Sequence, residues 1–123
     1  MKIALAIFLM AHGIAHMVGF IVYWQISDFE EMTYKTTILN GKVDIKDYGI
    51  RIVGIFWLLL ALAFIFNGIV LIIGLSFWET LTLYISIISL IFCIICLPDS
   101  KIGVAVNIII LIFILVNINY NFF

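Results

Sequence analysis

Four apolar stretches, each about as long as a membrane is thick, dominate this chain and restrict what it can fold into. They cover 3–24, 52–75, 77–97 and 102–118. A helix of roughly 20 residues crosses the ~30 Å hydrocarbon core of a bilayer. Inside lipid no water can satisfy the backbone, which leaves helices or a closed barrel as spanning structures. The runs are continuous and do not alternate apolar with polar, so helices are expected. With 67% hydrophobic and 11% charged residues and a mean hydropathy of +1.36, too little polar sequence remains to clothe a water-soluble core. The expected fold is an all-α, integral membrane four-helix bundle, a single domain over 1–123. Its helices lie at about 3–24, 51–75, 77–97 and 101–119, with one structured loop at 25–49.

The partner this composition implies is the lipid bilayer. The net charge is −1 and no basic cluster is present, so nothing points to nucleic acid. Met1-Lys2 before an apolar run has the look of a signal peptide. That run, however, continues past Ala11, carries His12 and His16, and shows no small-x-small cleavage site before Tyr23-Trp24. It reads as a membrane helix whose end is marked by the aromatic pair, and Tyr48, Trp78 and Tyr120 mark other ends in the same way.

The helix ends are punctuated. Ser76-Phe-Trp-Glu79 has the spacing of a capping box, with Gly74 before it as a helix stop, so the second and third helices form a hairpin with a very short turn. Pro98 closes the third helix, and Asp99 or Ser100 is placed to cap the fourth. Loop 25–49 holds five of the seven acids and three of the six bases. Within it, Ser27-Asp-Phe-Glu30 is a second capping-box pattern, expected to start a short helix on the membrane surface. Thr36 to Ile45 reads as a small hairpin around Asn40-Gly41, a pair suited to a type I′ turn, or else as a plain connection. Lys35, Lys42, Lys46, Arg51 and Lys101 fall on the loop side and only Lys2 on the other. The positive-inside rule then places the loop in the cytoplasm of a cell-membrane protein.

Small residues mark where membrane helices touch. Ala11, Ala15 and Gly19 step by four along the first helix, and Gly54, Ala61 and Gly68 by seven along the second. In the third, Glu79, Thr82, Ser86, Ser89, Cys93 and Cys96 form one small, polar face. In the fourth, Gly103, Asn107, Ile110, Ile114 and Asn117 keep the same rhythm. These faces predict a compact bundle, and they also suit a homo-oligomer or a place in a larger membrane complex.

Two motifs carry possible chemistry. Cys93-Ile-Ile-Cys96 has the spacing of thiol redox and zinc sites. Both cysteines also simply continue the small-residue face, and the chain has no second cysteine pair to pass electrons onward. His12-Gly-Ile-Ala-His16 sets two imidazoles one turn apart on one face, near the middle of the first span. Ionisable side chains at that depth are costly and mark function by default. Uncharged rings there can bind metal or relay protons. Alternatively, they hydrogen-bond across the bundle to Asn67, Asn107 or a serine of the third helix.

A joint zinc site of His12, His16, Cys93 and Cys96 is disfavoured by depth. Cys96 lies about 2 Å from its helix end while His12 lies about 18 Å from Trp24, and zinc needs every ligand within about 2.3 Å. His12 and His16 remain a candidate metal pair, with Cys93 and Cys96 as weaker ones. Haem needs a further axial ligand, because two histidines of one helix cannot take opposite faces of one iron. His12, His16, Arg51 and Asn107, with Cys93 near the same level, are expected to converge in a polar pocket beneath the loop. Such a pocket would take a metal, a haem or a quinone.

The run from Ala11 to Phe20, together with Tyr34-Lys-Thr-Thr and Gly49-Ile-Arg-Ile-Val-Gly54, resembles an uncharacterised group of small bacterial membrane proteins. Their architecture is similar to that of the DoxX-like four-helix proteins, some of which are linked to quinone or thiol redox systems. The resemblance spans the first two helices and the loop. It implies a four-helix bundle in a bacterial cell membrane and transfers no catalytic residue. Three functions are therefore in view: a cofactor-binding membrane protein, a non-enzymatic accessory subunit, and an oligomeric small-molecule transporter. The last is weakened because no acid precedes Asp28 in the first helix.

Overall fold

The computed structural model describes residues 1–30 and 32–121. In chain order these form α1 (Lys2–Tyr23), β1 (Thr37–Ile38), β2 (Val43–Asp44), α2 (Lys46–Ile73), α3 (Trp78–Ile95) and α4 (Lys101–Tyr120). All four helices are long and apolar enough to cross a membrane, the architecture of a multi-pass membrane protein. Their outer faces expose Ile7, Ile14, Leu59, Phe66, Ile91 and Ile112. In lipid these side chains lose nothing by being outside.

α1 packs along α2, α4 packs along α3, and α2 against α3 joins the two pairs. The residues of α2 that meet α1 are the small ones. Gly54 sits against Trp24 and Tyr23, Ala61 presents its carbonyl to Gly13, and Gly68 lies against Met10 and Ala6. The faces expected on α3 and α4 are likewise the inward ones: Thr82, Ser86, Ser89, Cys93, Cys96, Asn107, Ile110, Ile114 and Asn117 are all buried.

The ridge expected on α1 is different. Gly19 packs on α2 as expected, against the Trp57 ring, but Ala11 and Ala15 are exposed, and Gly13 makes the second close approach in their place. A Cβ on Gly13 would stand 2.7 Å from the Ala61 carbonyl oxygen. The helix is rotated so that His12 and His16, 8% and 4% exposed, turn inward. An imidazole facing lipid would leave its polar atoms unpaired, a far larger cost than exposing two alanines.

Gly74 ends α2 with a left-handed φ of 79°. Leu75 N–H bonds the Val70 carbonyl and Gly74 N–H bonds the Leu71 carbonyl, the paired bonds of a Schellman motif. The capping box expected at Ser76 does not form, and no side chain caps α3. Glu79 instead accepts a hydrogen bond from Asn117, because an asparagine turned into the bundle has no water to use. Neither Asp99 nor Ser100 caps α4 with its side chain. Ser100 Oγ donates to the Cys93 carbonyl, and Asp99 pairs with Lys35 at 2.9 Å. Trp78, expected at an outer interface, is buried.

The loop carries the expected hairpin, with Thr37 opposite Asp44 and Ile38 opposite Val43. Asn40 and Gly41 have φ values of 62° and 82°, as a type I′ turn demands, and Lys42 N–H closes the turn on the Leu39 carbonyl. The surface helix expected from Ser27 is not formed. Phe29 and Met32 bridge each other in its place, which brings Met32 down into the bundle to 8% exposure. α2 begins at Lys46, five residues before the expected start, since its first turn stands above the hydrocarbon. At 28 residues it is about 42 Å long, longer than the ~30 Å core. Asp47 in that turn suits the helix dipole, and Asp44 Oδ1 accepts the Lys46 N–H at 2.9 Å.

The loop is tied to the opposite end of the chain. Besides the Lys35–Asp99 pair, Leu39 and Asn40 N–H donate to the carbonyls of Ile95 and Leu97 at 2.8 and 3.2 Å. Carbonyls at a helix C-terminus lack partners of their own, so the hairpin completes α3 while covering the bundle mouth.

Candidate functional site

α1 and α4 do not pack closely along their length, and the gap between them holds a cavity of about 400 Å³. Its inner wall is made by His12, His16, Trp57 and Cys93, and its outer lip by Ala11, Ala15, Ile102 and Val106. Met32 from the loop, with Asp99 and Ser100, closes the loop-side end. The exposed alanines that fail as a packing ridge are thus the mouth of a lateral cleft.

The two imidazoles are fixed on every side. Their rings meet edge to face at 4.5 Å, His12 lies 4.8 Å from Phe64, and His16 lies 5.0 Å from Trp57. Beyond the rings runs a closed hydrogen-bond circuit through three helices. Asn107 Nδ2 donates to the Gly103 carbonyl at 2.9 Å and to Ser89 Oγ at 2.8 Å, with Cys93 Sγ at 3.6 Å. A carbonyl can only accept, so this atom is the amide nitrogen, and Oδ1 faces His12 Nε2 at 3.3 Å. His12 therefore donates from Nε2 and, as an uncharged ring, keeps Nδ1 as a bare acceptor. His16 Nδ1 donates to the His12 carbonyl at 2.9 Å. Ser89, already accepting from Asn107, gives its proton to His16 Nε2 at 2.6 Å.

Both nitrogens of His16 are thus used within the protein, and one of His12. His12 Nδ1 has no partner among the described residues. At the other end of the cavity, Asp99 Oδ2 is buried without a partner, while Oδ1 holds Lys35. Trp57 Nε1–H, also at the cavity, is likewise buried without a partner, and unpaired polar atoms as buried as it and Asp99 Oδ2 are uncommon and costly.

Of the residues expected to converge, His12, His16, Asn107 and Cys93 are brought together and Arg51 is not. Arg51 is exposed, its guanidinium 5.5 Å above the Trp24 ring, and its carbonyl accepts Trp24 Nε1–H at 2.9 Å. It braces the loop-side end of the α1–α2 contact. Cys93 and Cys96 are free, buried thiols, and only Cys93 lines the cavity. No group of three or more His, Cys, Asp or Glu placed to hold a metal occurs among the described residues. Ligation by both imidazoles would break the bond from Ser89 or that to His12. A haem iron would find one imidazole nitrogen without a partner here, with Met32 and Cys93 the other ligand types that line the cavity.

Trp57, Phe64, Met32 and Asp99 are site residues that the sequence motifs did not single out. Trp57 and Phe64 have the same spacing from Ala61 as ordinary core residues of α2. Asp99 carried the one usable signal, an acid beside the only proline. No family model, no curated protein and no solved structure matches this chain. The class defined by the fold is a four-helix multi-pass membrane protein, and its distinguishing feature is the lateral cavity at the histidine pair.

Proposed function

We propose that this protein binds a lipid-soluble, ring-headed molecule of the quinol class, held between α1 and α4 with a ring hydroxyl donating to His12 Nδ1. The observation that carries the reading is the cavity itself: about 400 Å³, within the ~300–1,000 Å³ range of small-molecule sites. Its walls are apolar and aromatic, and one unpaired imidazole nitrogen stands at the depth where the hydrocarbon offers no water. Its mouth opens sideways, the route a membrane-dissolved ligand would take. The unpaired groups at the cavity are of two kinds: His12 Nδ1 and Asp99 Oδ2 can accept from a ring hydroxyl, and Trp57 Nε1–H can donate to a ring oxygen. Arg51 and the loop lysines support a cytoplasmic loop in this reading.

The test is organic-solvent extraction of the protein purified in mild detergent, followed by mass spectrometry. A phenol or quinol at near-stoichiometric amount, lost in His12→Ala, is expected. Near-stoichiometric metal that falls in the same variant, with no such organic molecule, would replace this reading with a metal site.

The exposed Ala11 and Ala15 beside an open cleft favour a second reading, an accessory subunit whose partner presents a helix to that cleft. Ala11→Leu would then abolish co-purification of the partner while leaving the fold intact.

A further inference from the structure

The gap between α1 and α4 contains a second cavity, of about 230 Å³, further from the loop. Leu5 and Phe8 of α1 face Ile110, Phe113 and Ile114 of α4 across it, with Thr82 of α3 at its back. Thr82 contributes no free polar atom. Its hydroxyl donates to the Trp78 carbonyl at 2.7 Å and accepts from Asn67 Nδ2 at 2.5 Å. The second cavity is therefore hydrocarbon-like throughout, whereas the first carries His12 and His16 midway and Asp99 at its end.

The two cavities follow one another along α1 and α4 and meet at one side chain. Phe8 lines both. On α4 the lining passes from Val106 to Ile109, three residues or about 4.5 Å. On α1, Leu5 lies seven residues, roughly 10 Å, below His12. An apolar chamber that carries two imidazoles and a carboxylate thus lies beside, with Phe8 between, a narrower one that offers no free polar group. That gradient fits an amphiphile whose head and tail differ in the same sense.

We infer that the ligand of the proposed site carries an apolar tail that runs past Phe8 into the second cavity, so that Phe8 sets which tails are admitted. The inference rests on the reading of the first cavity as a ring-head site. The tail gains no hydrophobic driving force by leaving lipid for protein, so selectivity comes from fit at Phe8, and affinity alone would read it poorly. Where the tail lies is the direct observable.

The experiment uses the full chain in lipid nanodiscs with a hydroquinone bearing a decyl tail that ends in a photoreactive diazirine. Labelled positions are mapped by peptide mass spectrometry, with untagged decyl-hydroquinone as competitor. Competed labelling of Leu5, Ile110 or Phe113 is expected. In Phe8→Trp the ratio of this labelling to labelling at Ala11 and Ala15 should fall by about tenfold, the effect of a modest overpacking cost. In Phe8→Leu, which narrows the wall, the ratio should hold or rise. Competed labelling only at Ala11, Ala15 or lipid would overturn the tail path while leaving the head site standing. A ratio unchanged by Phe8→Trp would overturn the role of Phe8 and mark the second cavity as one filled by bilayer lipid. Absence of any competed labelling would overturn the ring-head reading itself.

Discussion

Replacing Gly13 by alanine adds one methyl group where α1 and α2 have no room for it. The new Cβ would stand 2.7 Å from the Ala61 carbonyl oxygen and 2.9 Å from Phe64 Cβ. Ordinary contact begins at 3.4 Å, so the helices must part by about 0.7 Å at this level. The carbonyl is held by its own helix and cannot swing aside as a flexible side chain would. Overpacking costs ~1–3 kcal/mol, and a backbone obstacle belongs in the upper half of that range. Alanine returns ~1 kcal/mol through its better helix propensity, leaving a net loss of ~1–2 kcal/mol. Reversible unfolding in mixed micelles, followed by tryptophan fluorescence, measures it. Ala11→Val, at the exposed mouth of the cleft, is the control and should change stability by less than ~0.5 kcal/mol. A stable Gly13→Ala beside a destabilised Ala11→Val would show that the alanine ridge, and not Gly13, packs against α2.

The circuit behind the histidines predicts that Asn107→Leu loses about 1 kcal/mol in the same assay, two bonds at the ~0.6 kcal/mol typical between membrane helices. Lys35→Gln removes an ion pair whose lysine is 35% exposed. Its global effect should stay below ~1 kcal/mol, while hydrogen exchange at the Leu39 and Asn40 amides speeds up as the hairpin loosens from α3. The Lys46 N–H, with the Thr36 side chain, holds the Asp44 carboxyl below the usual carboxylate range. A lowered folded value means that this contribution is present above the ordinary value, ~3.9, and is lost as pH falls through the folded one. Protection of the Lys46 amide, corrected for intrinsic rate, should therefore drop at acid pH in the native chain and be pH-independent in Asp44→Asn.

The helices were legible because lipid imposes one rule on every residue of a span. The faces of α2, α3 and α4 were legible for a related reason, since small and polar residues have few other uses there. The face of α1 was misread because two criteria competed on it. Ala11 and Ala15 continue the small-residue stripe of Gly19, which does pack on Trp57, yet the imidazoles one position around demand burial more strongly than the two alanines. The capping boxes failed for a comparable reason. Ser76, Glu79, Asp99 and Ser100 had local partners in sequence and better ones in space, in Asn117, Lys35 and the Cys93 carbonyl. The hairpin at Asn40-Gly41 was readable because its turn chemistry is local. Its docking on the Ile95 and Leu97 carbonyls was not, since backbone acceptors leave no mark in a sequence. Within the site, Asn107 and a serine of α3 could be named as partners of the histidines, but not which serine nor the bonding order, and Asn67, named with them, bonds Thr82 instead. The cavity itself is a place where α1 and α4 do not pack closely, and apolar residues around a void read the same as apolar residues around a contact.

The most direct measurement is the side-chain ¹⁵N spectrum of histidine-labelled protein in nanodiscs, recorded as a short-tailed hydroquinone is added. The structure predicts one unprotonated nitrogen with no hydrogen-bond donor, His12 Nδ1, whose signal moves to a hydrogen-bonded position as the ligand binds, while both His16 signals stay in place. Movement of the His16 signals, or no change at His12 once the hydroquinone is in large excess, would contradict a ligand held at His12.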